Sequence, residues 1–366
     1  MGGSEQKFIA QAFIENELSS FGTNITEFEK KLEIYLGGSN SVALVSSGTA
    51  AIHLALILSG VKQDDEVICQ SFTFSASANP ILYLGATPIF IDSELDTWNM
   101  CPFHLEKAIQ DRIAKGNKPK AIIIVHLYGM PAKIQEIVLI AKKYDIKLIE
   151  DAAEALGASF NGKKCGTFGD YGILSFNGNK IITGSGGGAL ICKTKVDKER
   201  AIFFATQAKD AAPHYEHSEI GYNYRISNVI AGIGRGQMDV LDEHIGLRKK
   251  NNDFYKKIFK EIKGVIVFKT HNSNYISNHW LSCILIDEKI AEFTKEDLRL
   301  QLQSDDIESR SLWKPMHLQP VFSKFKFYGC FVSEQLFDNG LCLPSGSNLT
   351  NSDKQRIKKA IYKVLS

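Results

Sequence analysis

Lys180 sits in the stretch SFNGNKIITGSGGGAL, residues 175–190, close to glycines at 184, 186, 187 and 188. Two chemistries compete for it. Glycine-rich backbone beside a lysine can cradle a phosphate, and a lysine in a polar, partly dry site can form a Schiff base with a carbonyl. The stretch lacks the order of a P-loop, which sets Gly-Lys-Ser/Thr at the mouth of a helix. Nor is it G-x-G-x-x-G after a first strand, so both nucleotide-fold readings are poor. Taken alone, a lysine on a loop is a solvated surface residue, and a glycine run marks a tight turn or a bulge.

Three further features follow apolar runs. In SSGTAAIHLAL, Gly48, Thr49 and Ala50 open a helix after a strand, so free amides and the helix dipole converge on one spot suited to phosphate. The competing reading is a small-residue turn without a ligand. In IKLIEDAAEALGA, a buried strand ends on Glu150 and Asp151. A carboxylate there needs a cationic or hydrogen-bonding partner, such as a protonated pyridine nitrogen; the alternative is an Asp that caps the next helix. In SFTFSASANPI, Phe74 follows an apolar strand and is by itself one more core aromatic. Together, a phosphate turn, a carboxylate, a lysine and a ring are what pyridoxal 5′-phosphate requires. The carboxylate keeps the ring nitrogen protonated, the lysine holds the aldehyde, and the aromatic covers one face. Phosphate binding then falls to the SGTAA turn, and the glycines of 184–188 let the backbone pass close by into the next strand.

Such residues need a frame. Short β-branched runs alternate with helical segments: SVALVSS with GTAAIHLALILSG, DEVICQSF with SASANPILYLG, then TPIFID, KAIIIVHLYG with AKIQEIVLIAKKY, and IKLIED. This βαβ cadence predicts a mostly parallel sheet with helices on both faces, whose ligands bind at the carboxyl ends of the strands. GDYGILSF and GGALICK read as further strands, with Lys180 on their connection. Ahead of them, Thr26 and Glu29 read as a capping box for a helix carrying Phe28, Leu32, Tyr35 and Leu36 and closed by Gly37 and Gly38. Near residue 240 a charged amphipathic helix begins. The expected division is 1–240, an N-terminal helix and a large α/β domain, and 241–366, a linking helix and a small α+β domain.

The totals narrow the function. The 366 residues are 44% hydrophobic and 23% charged, an ordinary globular composition with length enough for two domains. A formal charge of +2 supplies no argument for nucleic acid or for an acidic membrane surface. No apolar run is long enough to span a bilayer, and MGGSEQKFIAQAF lacks a signal-peptide pattern, so the expected location is the cytoplasm. The seven cysteines form no C-x-x-C pair. Neither a metal site nor a disulfide framework is expected; Cys69 and Cys192 read as buried small hydrophobes.

The motif series resembles the DegT/DnrJ/EryC1/StrS sugar aminotransferases over nearly the whole chain. It runs from FGTNITEFEKKLEIYLG and SSGTAAIHLAL through SFTFSASANPILYLGATPIFID, EDAAEALGA and GDYGILSFNGNKIITGSGGGAL to GYNYRISNVIAGIG and LWKPMHLQPVF. The resemblance implies the fold-type I, aspartate aminotransferase-like architecture with a mostly parallel seven-stranded sheet, pyridoxal 5′-phosphate as cofactor, and a homodimer with shared active sites. EDAAEALGA, SFNGNKIIT and LWKPMH are most similar to the branch that makes UDP-4-amino-4,6-dideoxy-N-acetylglucosamine, the aminotransferase step of bacillosamine synthesis.

Carried over by position, Lys180 matches the Schiff-base lysine and Asp151 the partner of the pyridine nitrogen. Ser175, Gly48 and Thr49 match phosphate-binding positions, and Phe74 the ring that stacks on the cofactor. Asn223 and Arg225 fall in a segment that reaches the neighbouring subunit's cofactor phosphate. Trp313 and His317 lie in the motif expected to hold the nucleotide-sugar, with Lys314 and Arg310 as candidates for its diphosphate against the alternative of solvated surface charges. Glu154 stands where many relatives have glutamine or histidine near the cofactor's phenolic oxygen. A carboxyl donates there only when protonated, a form that burial favours, and the acetamido-sugar branch shares this glutamate. The implied reaction takes an amino group from L-glutamate and delivers it to a UDP-linked 4-keto-6-deoxy-2-acetamido sugar, with Lys180 moving the proton. A dehydratase on this fold has histidine at the lysine position, which Lys180 argues against. A 3- or 4-aminotransferase acting on a dTDP- or GDP-sugar keeps every cofactor residue. A non-catalytic regulator is opposed by the complete Lys, Asp and Ser set.

Overall fold

A computed structural model describes residues 1–365. The apolar runs become strands because their β-branched residues fill both faces of a sheet covered by helices. Seven of them build the large sheet: β1 (Ser41–Val45), β2 (Glu66–Gln70), β3 (Thr87–Ile91), β4 (Ala121–Val125), β5 (Lys147–Asp151), β6 (Tyr171–Ser175) and β7 (Gly188–Cys192). They are ordered β1-β7-β6-β5-β4-β2-β3. From β3 across to β6 every pairing is parallel, whereas β7 runs antiparallel to both β1 and β6. All five residues of β4, AIIIV, are buried, as befits a central strand.

The helix Leu241–Phe259 leads into the C-terminal third, which adds β8 (Val265–Val267), β9 (Ser282–Ile286), β10 (Arg310–Ser311), β11 (Phe327–Tyr328) and β12 (Gly340–Leu343). Four of these form an antiparallel sheet ordered β8-β9-β12-β10. The two-residue β11 instead pairs in parallel with β3, so the seven strands expected in the large sheet gain an eighth at one edge. Asp92, fully buried just past β3, holds that return in place. Its carboxylate accepts the amides of Cys330, Val332 and Ser333 at 2.9–3.0 Å and the Ser333 hydroxyl at 2.6 Å.

At the N-terminus lie α1 (Glu5–Ile14) and α2 (Thr23–Tyr35). The second begins three residues before the capping box expected at Thr26 and Glu29. Tertiary contacts cap it: Glu17 accepts the Thr23 amide at 2.7 Å and Asn228 Oδ1 the Ile25 amide at 3.1 Å. Glu29 is left to bind the Leu44 amide, Arg225 and Lys198. Its far end closes as the glycine pair predicts, with Gly37 and Gly38 at φ 101° and 75° and the Gly38 amide on the Glu33 carbonyl. All seven cysteines are free; five are buried, and Cys330 is exposed. Among the described residues there is no cluster able to hold a metal ion, and no helix is long and apolar enough to cross a membrane.

Candidate active site

The site lies at the carboxyl edge of the large sheet, where α3 (Gly48–Leu58) follows β1. Ser47 caps α3, its hydroxyl accepting the Ala50 amide at 3.0 Å. The Gly48 and Thr49 amides are in the first turn and have no intrahelical acceptor, so with the helix dipole they form an anion seat. Ser175, at the end of β6, packs against this turn, its Cβ 3.2 Å from where a Cβ on Gly48 would stand. The glycine run brings β7 across the same turn. Gly187, at φ 103°, donates to the Ser46 carbonyl at 3.0 Å, and a Cβ on Gly188 would lie 2.4 Å from the Ser47 carbonyl carbon. These glycines thus serve a close backbone crossing.

Strand alternation separates the two carboxylates that end β5. Glu150 is fully buried and accepts the amides of Gly166, Phe168 and Gly169 at 2.5–2.9 Å, with His126 Nε2 at 2.9 Å. It staples the turn that precedes β6. Asp151 lines the cleft, accepting the Ser77 hydroxyl at 2.6 Å and the Ala153 amide at 3.2 Å. No helix begins there, so the capping alternative is set aside.

Lys180 Nζ stands 3.8 Å from Glu154 Oε1 and 4.2 Å from the centre of the Trp280 ring. Burial raises the Glu154 carboxyl to about 8, against the opposing pull of Lys180 and of the Tyr128 amide, which donates to Oε2 at 2.6 Å. The 3.8 Å approach to Lys180 is too long for a charge-assisted hydrogen bond, so desolvation dominates and the neutral acid is favoured. Tyr128, buried and in the left-handed region at φ 53°, is held there by that bond and by its phenolic oxygen, which accepts the Trp313 amide at 3.0 Å.

A cleft of about 880 Å³ collects Gly48, Thr49, Phe74, Asp151, Glu154, Ser175, Lys180, Arg310, Trp313 and Lys314. Phe74 is 57% exposed in its wall, 5.5 Å from the Trp313 ring. Arg310 is paired with Glu308 at the open rim. His317 lies outside this cleft, as do Arg225 and Asn223, which are expected at a neighbouring subunit's cofactor rather than here. His317 turns inward, its ring 3.7 Å from that of Phe327 and its nitrogens on Ser71 at 2.6 Å and Glu334 at 3.0 Å. Arg225 is drawn to Glu29 and the Leu44 carbonyl of its own chain, because Glu29 is not spent as a cap. Asn223 is exposed. Sequence reasoning missed Trp280, Tyr128 and Ser309. The Ser309 hydroxyl is buried in the cleft wall with no hydrogen-bond partner among the described residues, which suits a ligand acceptor.

A molecule with a phosphate, an aldehyde and a basic ring nitrogen would use the α3 amides, Lys180 and Asp151 at once. That donor set, on this sheet, defines the class of pyridoxal 5′-phosphate enzymes. The chain matches the DegT/DnrJ/EryC1/StrS aminotransferase family over residues 1–362 and belongs to it. It is 47% identical over 361 residues to EpsN of Bacillus subtilis (strain 168), named as a pyridoxal phosphate-dependent aminotransferase, covering 98% of this chain and 92% of that protein. It is 36% identical to a GDP-perosamine synthase of Escherichia coli O157:H7, covering 100% and 96%. A crystal structure of a family member from Brucella abortus superposes with a TM-score of 0.91 at 29% identity, covering 98% of this chain and 95% of that one. The protein is a pyridoxal 5′-phosphate-dependent aminotransferase.

Proposed function

We propose that the enzyme transfers the amino group of L-glutamate to the 4-keto carbon of UDP-2-acetamido-2,6-dideoxy-4-keto-hexose, giving a 4-amino sugar for surface-glycan or glycoprotein synthesis. The observation that carries this reading is Glu154, buried and favoured as the neutral acid beside Lys180. It can donate a hydrogen bond, and it is the residue that the resemblance ties to acetamido-sugar enzymes.

When bound, the cofactor supplies a carbonyl carbon that amines attack and a cationic ring that accepts electron density. The α3 amides and Ser175 hold the phosphate, and Asp151, steadied by Ser77, keeps the ring nitrogen protonated. Lys180 anchors the cofactor covalently at rest; once displaced, its amine carries the proton between donor and acceptor carbons. Arg310 and Lys314 meet the diphosphate at the open side, with Trp313 against the nucleotide-sugar. Asn223, exposed and outside the cleft of its own chain, serves the site of a second copy in a homodimer.

A second reading, a GDP-linked keto-sugar substrate, is favoured by the relative named GDP-perosamine synthase. The test loads purified enzyme with pyridoxal phosphate, converts it with L-glutamate while absorbance is followed, and offers UDP-, dTDP- and GDP-linked 4-keto sugars. Mass spectrometry and NMR locate the new amine. Turnover of the UDP-sugar alone supports the proposal, and preference for the GDP-sugar replaces it with the second reading. Lys180→Ala abolishes turnover and the lysine-linked absorption band; a Lys180→Ala enzyme that still turned over would overturn the assignment of the lysine.

A further inference from the structure

Trp280 comes from the segment just before β9, a hundred residues from Lys180, yet it is 97% shielded and faces that lysine across the cleft. Its indole makes two contacts to the lysine loop. Nε1 donates to the Asn179 carbonyl at 2.8 Å, fixing the peptide that leads into Lys180, and the ring face stands 4.2 Å from Nζ. Glu154 is the nearest acidic group, and at 3.8 Å it does not grip the amine. The indole is therefore the surface on which the amine rests.

The ring is itself held from behind. The Trp280 amide donates to Asn278 Oδ1 at 2.9 Å, and Asn278 Nδ2 donates to the carbonyls of Glu154 and Leu156 at 2.8 and 2.9 Å. Arg248 donates to the Trp280 carbonyl. A Cβ on Gly129 would lie 1.8 Å from Asn278 Oδ1, so the Tyr128–Gly129 loop is built around the same asparagine. One small side chain thus ties the backbone of Glu154, the Tyr128 loop and the ring of Trp280 into a single unit behind Lys180.

We infer that Trp280 is a positioning residue for Lys180, holding the freed amine in one orientation between its two proton transfers. This rests on the reading of Lys180 as anchor and proton carrier. A lysine side chain has many rotamers to lose, and a ring face that attracts its cation, with a clamp on its backbone, removes that search. Of the substrate-binding residues, Arg310 pairs with Glu308 at the open rim, whereas Trp313 meets this unit, its ring 6.2 Å from that of Trp280 and its amide on the Tyr128 phenolic oxygen.

The test compares Trp280→Leu, Trp280→Phe and wild type as cofactor-loaded enzymes, with circular dichroism and thermal midpoint as fold controls. In single turnovers with L-glutamate, followed by loss of the lysine-linked absorption, Trp280→Leu slows about tenfold. The Kd for pyridoxal phosphate, from absorbance titration, stays within about twofold of wild type. Trp280→Phe keeps a ring face without the N–H and recovers most of the rate. The inference is overturned if Trp280→Leu reacts at the wild-type rate, if the Kd rises with the rate unchanged, or if Trp280→Phe is as slow as Trp280→Leu. A wild-type enzyme that shows no lysine-linked band at all instead overturns the reading of Lys180 on which this rests.

Discussion

Replacing Glu154 with glutamine separates a buried neutral acid from a buried ion pair. The carboxyl is raised from an ordinary 4.5 to about 8, burial being the largest cause. Below pH 4.5 the folded and unfolded chains both carry the proton, and the contribution of this group to stability is fully present. As pH rises towards 8 the unfolded chain releases the proton while the folded chain keeps it. Stability then falls by about 1.4 kcal/mol per pH unit, and by about 5 kcal/mol over the whole interval. Glutamine cannot ionise, and its carbonyl still accepts the Tyr128 amide that Glu154 Oε2 accepts at 2.6 Å. The assay is denaturant unfolding of wild type and Glu154→Gln at pH 5, 6, 7 and 8, read as the difference between them so that other titrating groups cancel. The expected result is a gap that moves steadily in favour of Glu154→Gln as pH rises. Parallel profiles across that range would refute the reasoning. They would mean that Glu154 is already ionised and that Lys180, 3.8 Å away, outweighs desolvation.

Three further substitutions test other parts of the site. Gly188→Ala places a Cβ 2.4 Å from the Ser47 carbonyl carbon, backbone that cannot swing aside; a loss of about 3 kcal/mol or more in unfolding free energy is expected, with weaker cofactor binding, and a loss below about 0.5 kcal/mol would contradict the crossing described. Arg310→Ala and Lys314→Ala each raise the KM for the nucleotide-sugar about tenfold with kcat held, as a lost charged hydrogen bond would; unchanged KM values would return both to ordinary surface charges. His317→Ala leaves KM alone but lowers stability by about 1–3 kcal/mol, since it removes the partner of Ser71 and Glu334.

Lys180, Asp151 and the SGTAA turn were legible because their surroundings are local. Each follows its own strand, and the carboxyl ends of parallel strands converge whatever the rest of the chain does. The strand runs were legible for the same reason. What escaped depends on contacts between distant segments. Trp280 reads as one more apolar residue ahead of a strand, and only the fold brings it to Lys180. Thr26 and Glu29 satisfy a local capping rule, but Asn228, two hundred residues on, supplies the cap and frees Glu29 for Arg225. That exchange also leaves Arg225 bonded to Glu29 and the Leu44 carbonyl of its own chain. His317 was placed at the substrate by its motif, yet β11 returns beside β3 and offers it Phe327. Glu154 shows the limit of position alone. Its place in EDAAEALGA puts it near the cofactor, but whether it acts as donor or anion is set by burial, the Tyr128 amide and the distance to Lys180. The chemistry of this site therefore depends as much on the packing that positions and desolvates each group as on which residue types are present.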